Sequence, residues 1–209
     1  MFKSIGEIKK IGYDKELNDI TNKLPGNKQI CENILKKLNN DTTKIKEDDG
    51  KEASLYLIVS DSILIANIKE SFTRVQTIAH ECLHSIQSKK LLWFNYIFSN
   101  IYMLYFMVIL ILALFNKTGN NWVFALILFL AGFVFYVVRS YLEMDAMTKA
   151  RFVAQDYLQE NLGTLTQEEI DLVISKYDYL NSKGIWLTML LLAWKCILKL
   201  IIFGIICII

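Results

Sequence analysis

A mainly α-helical integral membrane protein, with two to three transmembrane helices and a small β-hairpin, is the fold class this sequence predicts. Three observations carry that reading. The 209-residue chain is 54% apolar with a single proline, and its mean hydropathy is +0.33. Its charges concentrate before residue 91 and between 139 and 183, leaving long uncharged runs elsewhere. Both of its histidines fall within five residues, 80–84, on a stretch with helical apolar spacing. A soluble enzyme with one large core does not combine these features. A net charge of +2 is too small to indicate a nucleic-acid partner.

Residues 1–50 form a polar, helix-prone N-terminal segment. Ile5, Ile8, Ile11, Leu17 and Ile20 suggest one amphipathic stretch; after the Pro25-Gly26 break, Ile30, Ile34, Leu35 and Leu38 suggest a second. Asn39 to Gly50 is charged and reads as a loop. The first residues hold no apolar run long enough for a signal peptide, so this segment is expected to stay on the side of the membrane where it is made.

Residues 51–90 hold the β-hairpin and the histidine helix. Ser54–Val59 and Ser62–Ile68 are short, β-branched and aromatic, and Ser60-Asp61 between them favours a turn. The hairpin either is purely structural or offers an edge on which an extended peptide can pair. Thr73 and Gln76 have the spacing of a capping box, which would start a helix ahead of His80-Glu81-Cys82-Leu83-His84, an H-E-x-x-H sequence. On that helix the two imidazoles share a face and can bind one metal ion. Val75, Ile78, Ala79, Cys82, Leu83 and Ile86 supply the apolar positions, and Cys82, on the opposite face from the histidines, is expected to pack rather than react. The four cysteines, 31, 82, 196 and 207, show no disulfide or C-x-x-C spacing and suit a reducing compartment.

Residues 91–139 read as a transmembrane hairpin. Leu91–Phe115 is 25 uncharged residues, about 37 Å as a helix, enough to cross a ~30 Å hydrocarbon layer with tilt. A polar turn at 116–121 (with the Asn116-Lys117-Thr118 sequon) precedes the second run, Trp122–Val138, ended by Arg139. Trp93 and Trp122 sit where aromatic rings favour the interface. Lys89, Lys90, Arg139, Lys149, Arg151 and Lys183 flank one side of the membrane and only Lys117 the other, so residues 1–90 and 139–184 are expected in the cytoplasm.

Residues 140–184 are expected to be cytoplasmic helices, one from Ser140 to about Glu160 and one from the Thr166–Glu169 capping box to about Leu180. Residues 185–209 form a third apolar run and a C-terminal transmembrane helix, although Lys195 and Lys199 lie within it. A lysine at the bilayer centre costs about 2.5–3.5 kcal/mol on insertion scales, so these two either meet a wet or protein-lined surface or part of the segment lies along the membrane.

Two histidines do not complete a catalytic zinc site, which needs a third protein ligand and an open position for water. The chain re-enters the level of His80 and His84 at Arg139, and the first acid after it is Glu143. Asp145 points about 200° away round the helix, so the two cannot serve equally. Gln87 either hydrogen-bonds near the site or is exposed.

The order H-E-x-x-H, two spans, then Glu143, Ala146 and Ala150 resembles membrane-embedded zinc metallopeptidases. The nearest resemblance is to the YugP-like family of neutral zinc metallopeptidases, whose H-E-x-x-H-x-x-Q stands here as His80, Glu81, His84 and Gln87. Its E-x-D-A stands as Glu143, Asp145 and Ala146, and the run Leu187–Ala193 is similar to its last apolar segment. The HtpX-type proteases are more distantly similar and carry an acid where this chain has Met147. The YugP-like N-terminal anchor span has no counterpart in residues 1–50, and Cys82-Leu83 replaces the family's usual glycine before the second histidine. The resemblance implies a zincin-like catalytic part, a Zn²⁺ cofactor held by His80, His84 and Glu143, and Glu81 as general base. It implies hydrolysis of a peptide or membrane-protein substrate at the cytoplasmic face of a bacterial cell (inner) membrane. The alternative is a non-catalytic zinc-binding membrane sensor or adaptor related to such proteases.

Overall fold

The computed structural model describes residues 14–48, 50–51, 53–68 and 71–208; Ile5, Ile8 and Ile11, expected on the first amphipathic stretch, lie outside them. The chain divides into two compact units, residues 1–87 with 144–185 and residues 88–143 with 186–209.

In the first unit, helices α1 (Lys15–Asn22) and α2 (Asn27–Lys37) flank the Pro25-Gly26 break. The Asp14 carboxylate accepts from Leu17 N–H and caps α1. A three-stranded sheet follows, β1 (Lys44–Asp48), β2 (Leu55–Leu57) and β3 (Ser62–Ala66), in the order β1-β3-β2. The hairpin pairs β2 and β3 antiparallel, turning through Asp61 at φ 42°, a left-handed conformation that aspartate tolerates. The loop expected over 39–50 is instead partly a strand, with β1 pairing parallel to β3 from Lys44↔Ser62 to Asp48↔Ala66. Its sequence, Lys-Ile-Lys-Glu-Asp, has one apolar residue and a weak intrinsic preference. Pairing with the buried β3 decides its conformation.

Helix α3 (Arg74–Ile86) carries the H-E-x-x-H residues. Its start falls where expected, but no capping box forms. Thr73 sits at φ −76°, ψ 0°, outside the extended conformation a capping side chain needs, and its hydroxyl pairs with Ser71 Oγ at 2.8 Å. Val75, Ile78, Ala79, Cys82 and Leu83 are buried in one cluster with residues of α1, α2 and β3; Ile86, expected to join them, is 45% exposed. Ala146, Ala150 and Ala154 add a stripe of small side chains at four-residue spacing, which lets their helix approach this core closely. Tyr177 closes it, stacking on Phe72 and donating to Phe72 O at 2.7 Å. Burial pushes the Tyr177 hydroxyl well up, so it stays a donor.

Arg74 is the largest fully buried side chain in the described residues. Burial lowers its pKa, yet a guanidinium stays charged in proteins. It donates to Asn27 Oδ1 (2.9 Å), Thr21 O (2.7 Å) and Leu24 O (3.0 Å), joining the end of α1 to the start of α2. Arg74→Met keeps the stem and leaves three buried acceptors without this donor. We expect it to destabilise the unit by about 3 kcal/mol, at roughly 1 kcal/mol or more per orphaned group, seen as an earlier thermal unfolding transition in detergent.

The second unit contains α4 (Lys89–Leu114) and the apolar portions of α5 (Asn121–Glu160) and α6 (Gln167–Ile206). All three helices are long and apolar enough to cross a membrane. Large apolar side chains such as Leu104, Phe133 and Trp186 are more than half exposed, as lipid-facing residues are. Tyr102, Phe106, Ile109, Ala113, Leu128 and Phe203 form the core. A Cβ at Gly132 would meet the Tyr102 hydroxyl at 2.8 Å, so a larger residue there requires the Tyr102 side chain to shift. Asn116, at φ 53°, ends α4, and the Asn120 side chain accepts from Trp122 and Val123 N–H to start α5.

Two further expectations are corrected. The helix expected from Ser140 is the continuation of α5, since no glycine or proline occurs from 133 to 160. Likewise the helix begun at Thr166 does not stop near Leu180 but runs to Ile206, passing through Gly184. One glycine costs about 1 kcal/mol in a helix, too little to stop one carried by packing on both sides. The Thr166–Glu169 capping box does form, with Glu169 N–H donating to Thr166 Oγ1 and Thr166 N–H to Glu169 Oε2.

Candidate metal centre

His80 and His84 lie one turn apart on α3, their rings edge to face with centroids 4.6 Å apart. Their Nε2 atoms are 3.1 Å apart. Two imidazole nitrogens on one tetrahedral zinc, each at ~2.0–2.1 Å, stand about 3.3 Å apart, so the pair already has ligand spacing. Glu143 completes a group whose three ligand atoms all lie within 4.8 Å of one another. Two imidazoles and a carboxylate are a donor set that suits zinc. His84 and Glu143 are buried and His80 partly so. Asp145 is not a member of this group.

Hydrogen bonds fix which nitrogen of His84 is available. Asp145 lies outside the apolar run of α5. Burial alone would raise its carboxyl, but hydrogen bonds from Lys149 and Gln87 hold it below the usual carboxylate range. It is therefore ionised near neutral pH and only accepts. Gln87 Nε2 donates to Asp145 Oδ2 at 3.0 Å, which turns Gln87 Oε1 toward His84 Nδ1 at 2.8 Å. An acceptor there requires the proton on Nδ1 and leaves the Nε2 lone pair for a metal. Gln87 is thus placed to orient His84 as a candidate ligand. Such partners typically contribute 10–100-fold in metal affinity. Gln87→Ala is expected to weaken zinc binding by that factor, measured by competition with a chromogenic chelator, and Asp145→Asn by less, because its amide oxygen still accepts.

Arg139 Nη2 contacts Glu143 Oε1 at 2.5 Å from one turn earlier on α5. This charge-assisted contact helps to orient the Glu143 carboxylate. The Glu81 carboxylate is held from the sheet: Tyr56 N–H, on β2 at the sheet's edge, donates to Glu81 Oε2 at 2.6 Å. Tyr56 in turn donates through its hydroxyl to Asp61 Oδ1 at 2.7 Å. Cys82 faces away, with its sulfur 3.6 Å from that of Cys31. The hydrogen bond with Cys31 and burial push its thiol well up, so it is held neutral, unsuited to serve as ligand or nucleophile.

Sequence reasoning left three of these participants unassigned. The spacing of Arg139 and Glu143 on a helix is itself a signal, since oppositely charged residues four apart face each other. The Gln87–Asp145 bond has no local pattern, and Tyr56 acts through its backbone, which no side-chain motif displays. Comparison with family models, with curated proteins and with solved structures returns no match, so the metal centre is read from its own geometry alone.

Proposed function

We propose that this protein is a membrane-bound, zinc-dependent metallopeptidase, similar to the YugP-like family, that hydrolyses peptide bonds at the cytoplasmic membrane face. The observation that supports it most is the convergence of His80, His84 and Glu143 within 4.8 Å, with a further carboxylate, Glu81, adjacent in sequence to His80. A purely structural zinc site needs no such base.

A bound zinc ion would lower the pKa of its water toward ~7 and polarise the scissile carbonyl. The chain supplies the rest. His80 and His84 present Nε2, and Glu143 brings a negative charge that offsets the cation. Glu81 accepts the water's proton and returns it to the leaving amine. The β2 edge offers a place for an extended peptide to add as a strand. A substrate that takes the Tyr56 N–H displaces Glu81 Oε2 from it, which frees the base as the peptide is laid down. Membrane-proximal or unfolded protein segments are the substrates such an edge suits.

Stripping metal with 1,10-phenanthroline tests the reading. Cleavage of a quenched-fluorescent unfolded protein by the detergent-solubilised chain should fall to background, and stoichiometric zinc should restore it. Cleavage that survives complete metal removal overturns the proposal. Stoichiometric zinc without any Glu81-dependent cleavage would point to the sensor or adaptor reading.

A further inference from the structure

The two lysines of the third apolar helix are accommodated differently. The Lys199 ammonium lies over the Tyr102 ring, 4.5 Å from its centroid, and 5.9 Å from that of Phe106, a protein-lined place where aromatic faces attract a cation. Lys195, one turn earlier, is exposed. Among the described residues it has no salt bridge and no aromatic face beneath it, and its charged neighbour on the helix is Lys199, of the same sign.

Its depth makes this unusual. Lys195 is twelve residues beyond Lys183 and eleven short of the end of α6 at Ile206. At 1.5 Å per residue it is about 18 Å from one polar limit of the helix and about 16 Å from the other. A lysine side chain reaches roughly 6 Å, so snorkelling does not bring its ammonium to the headgroups of a ~30 Å hydrocarbon layer. The runs 91–115, 122–138 and 185–208 contain no aspartate or glutamate, so no residue within the spans can neutralise it. Leu191 and Leu198, at i−4 and i+3, are also exposed and give the same face an apolar surround.

We infer that the Lys195 face of α6 is the docking surface for a transmembrane helix of another protein that carries an aspartate or glutamate at mid-membrane depth. Charge complementarity selects this occupant. A second copy meeting the face symmetrically would set lysine against lysine, and a lipid phosphate lies too far out. The carboxylate and the ammonium neutralise each other where water is absent, and Leu191 and Leu198 pack beside the pair. This surface is independent of the metal centre, and its test does not involve peptide cleavage.

The probe is a synthetic Leu/Ala helix of about 20 residues with one central Asp, compared with the same helix bearing Leu there. Each is acceptor-labelled and mixed with the donor-labelled full chain in phosphatidylcholine vesicles at pH 8. Energy transfer should show at least tenfold tighter association of the Asp helix. That preference should disappear in Lys195→Met, which inserts more readily than wild type, and persist in Lys195→Arg. Equal association of the two helices with the wild-type chain overturns the inference, as does an Asp preference that survives in Lys195→Met. So does abolition of the preference by adding phosphatidylglycerol, which would mean that a lipid headgroup occupies the face.

Discussion

Glu81→Gln is expected to lower kcat by two to four orders of magnitude while the chain keeps its full zinc content. The substitution removes the basicity of the carboxylate and little else. A glutamine is nearly isosteric, and its amide oxygen can still accept the Tyr56 N–H that now meets Glu81 Oε2 at 2.6 Å. Glu81 is also outside the group of converging ligand atoms, so metal affinity has no reason to fall. Loss of a positioned general base typically costs 10²–10⁴-fold, about 3–5 kcal/mol at 1.36 kcal/mol per decade. Metal analysis of the purified variant alongside single-turnover cleavage separates the two effects. Wild-type turnover in this variant would remove Glu81 from the mechanism.

Glu143→Ala carries the second large effect, on metal rather than on turnover. It reduces the ligand group from three side chains to two, and it also unmasks Arg139, whose guanidinium contacts Glu143 at 2.5 Å. A positive charge formerly paired then stands beside the place where a divalent cation would sit, and in a partly buried site that repulsion is not screened away. Zinc affinity should fall by well over the 10–100-fold expected for an orienting partner. Asp145→Ala, which removes the hydrogen-bond partner of Gln87 and a negative charge near His84 but no member of the ligand group, should stay within that range. Zinc titration of both variants in detergent decides the matter; a larger loss for Asp145→Ala would exchange the two acids' roles.

The features legible in the sequence were those that depend on near neighbours along the chain. Three apolar runs specify three helices of membrane-crossing length, and the four-residue spacing of His80 and His84 puts them on one face whatever surrounds them. The Thr166–Glu169 capping box forms at an exposed turn, with both of its reciprocal hydrogen bonds in place. The Thr73–Gln76 pattern has the same spacing, but the chain enters α3 through a tight turn, Arg74 N–H bonding to Ser71 O at 3.0 Å, and the hydroxyl is diverted. Tertiary contacts hid the remainder. Strand β1 exists through its partner β3, Gln87 acquires its role from Asp145, 58 residues away, and Ile86 lies on the apolar side of the pattern yet is exposed.

The unbroken course of α5 has a consequence for how the Glu143 carboxylate is aimed. At 100° per residue, Ala146, Ala150 and Ala154 lie about 60°, 20° and 20° from the azimuth of Glu143, so the carboxylate and the buried alanine stripe occupy one angular sector of a single rod. The direction of Glu143 is thereby stored as phase. One residue added between 143 and 146 would swing the carboxylate about 100° off the sector without touching any atom of the site. A residue added to the turn at 116–120 would leave that phase intact. The alanines thus act as an angular index for a carboxylate they need not contact.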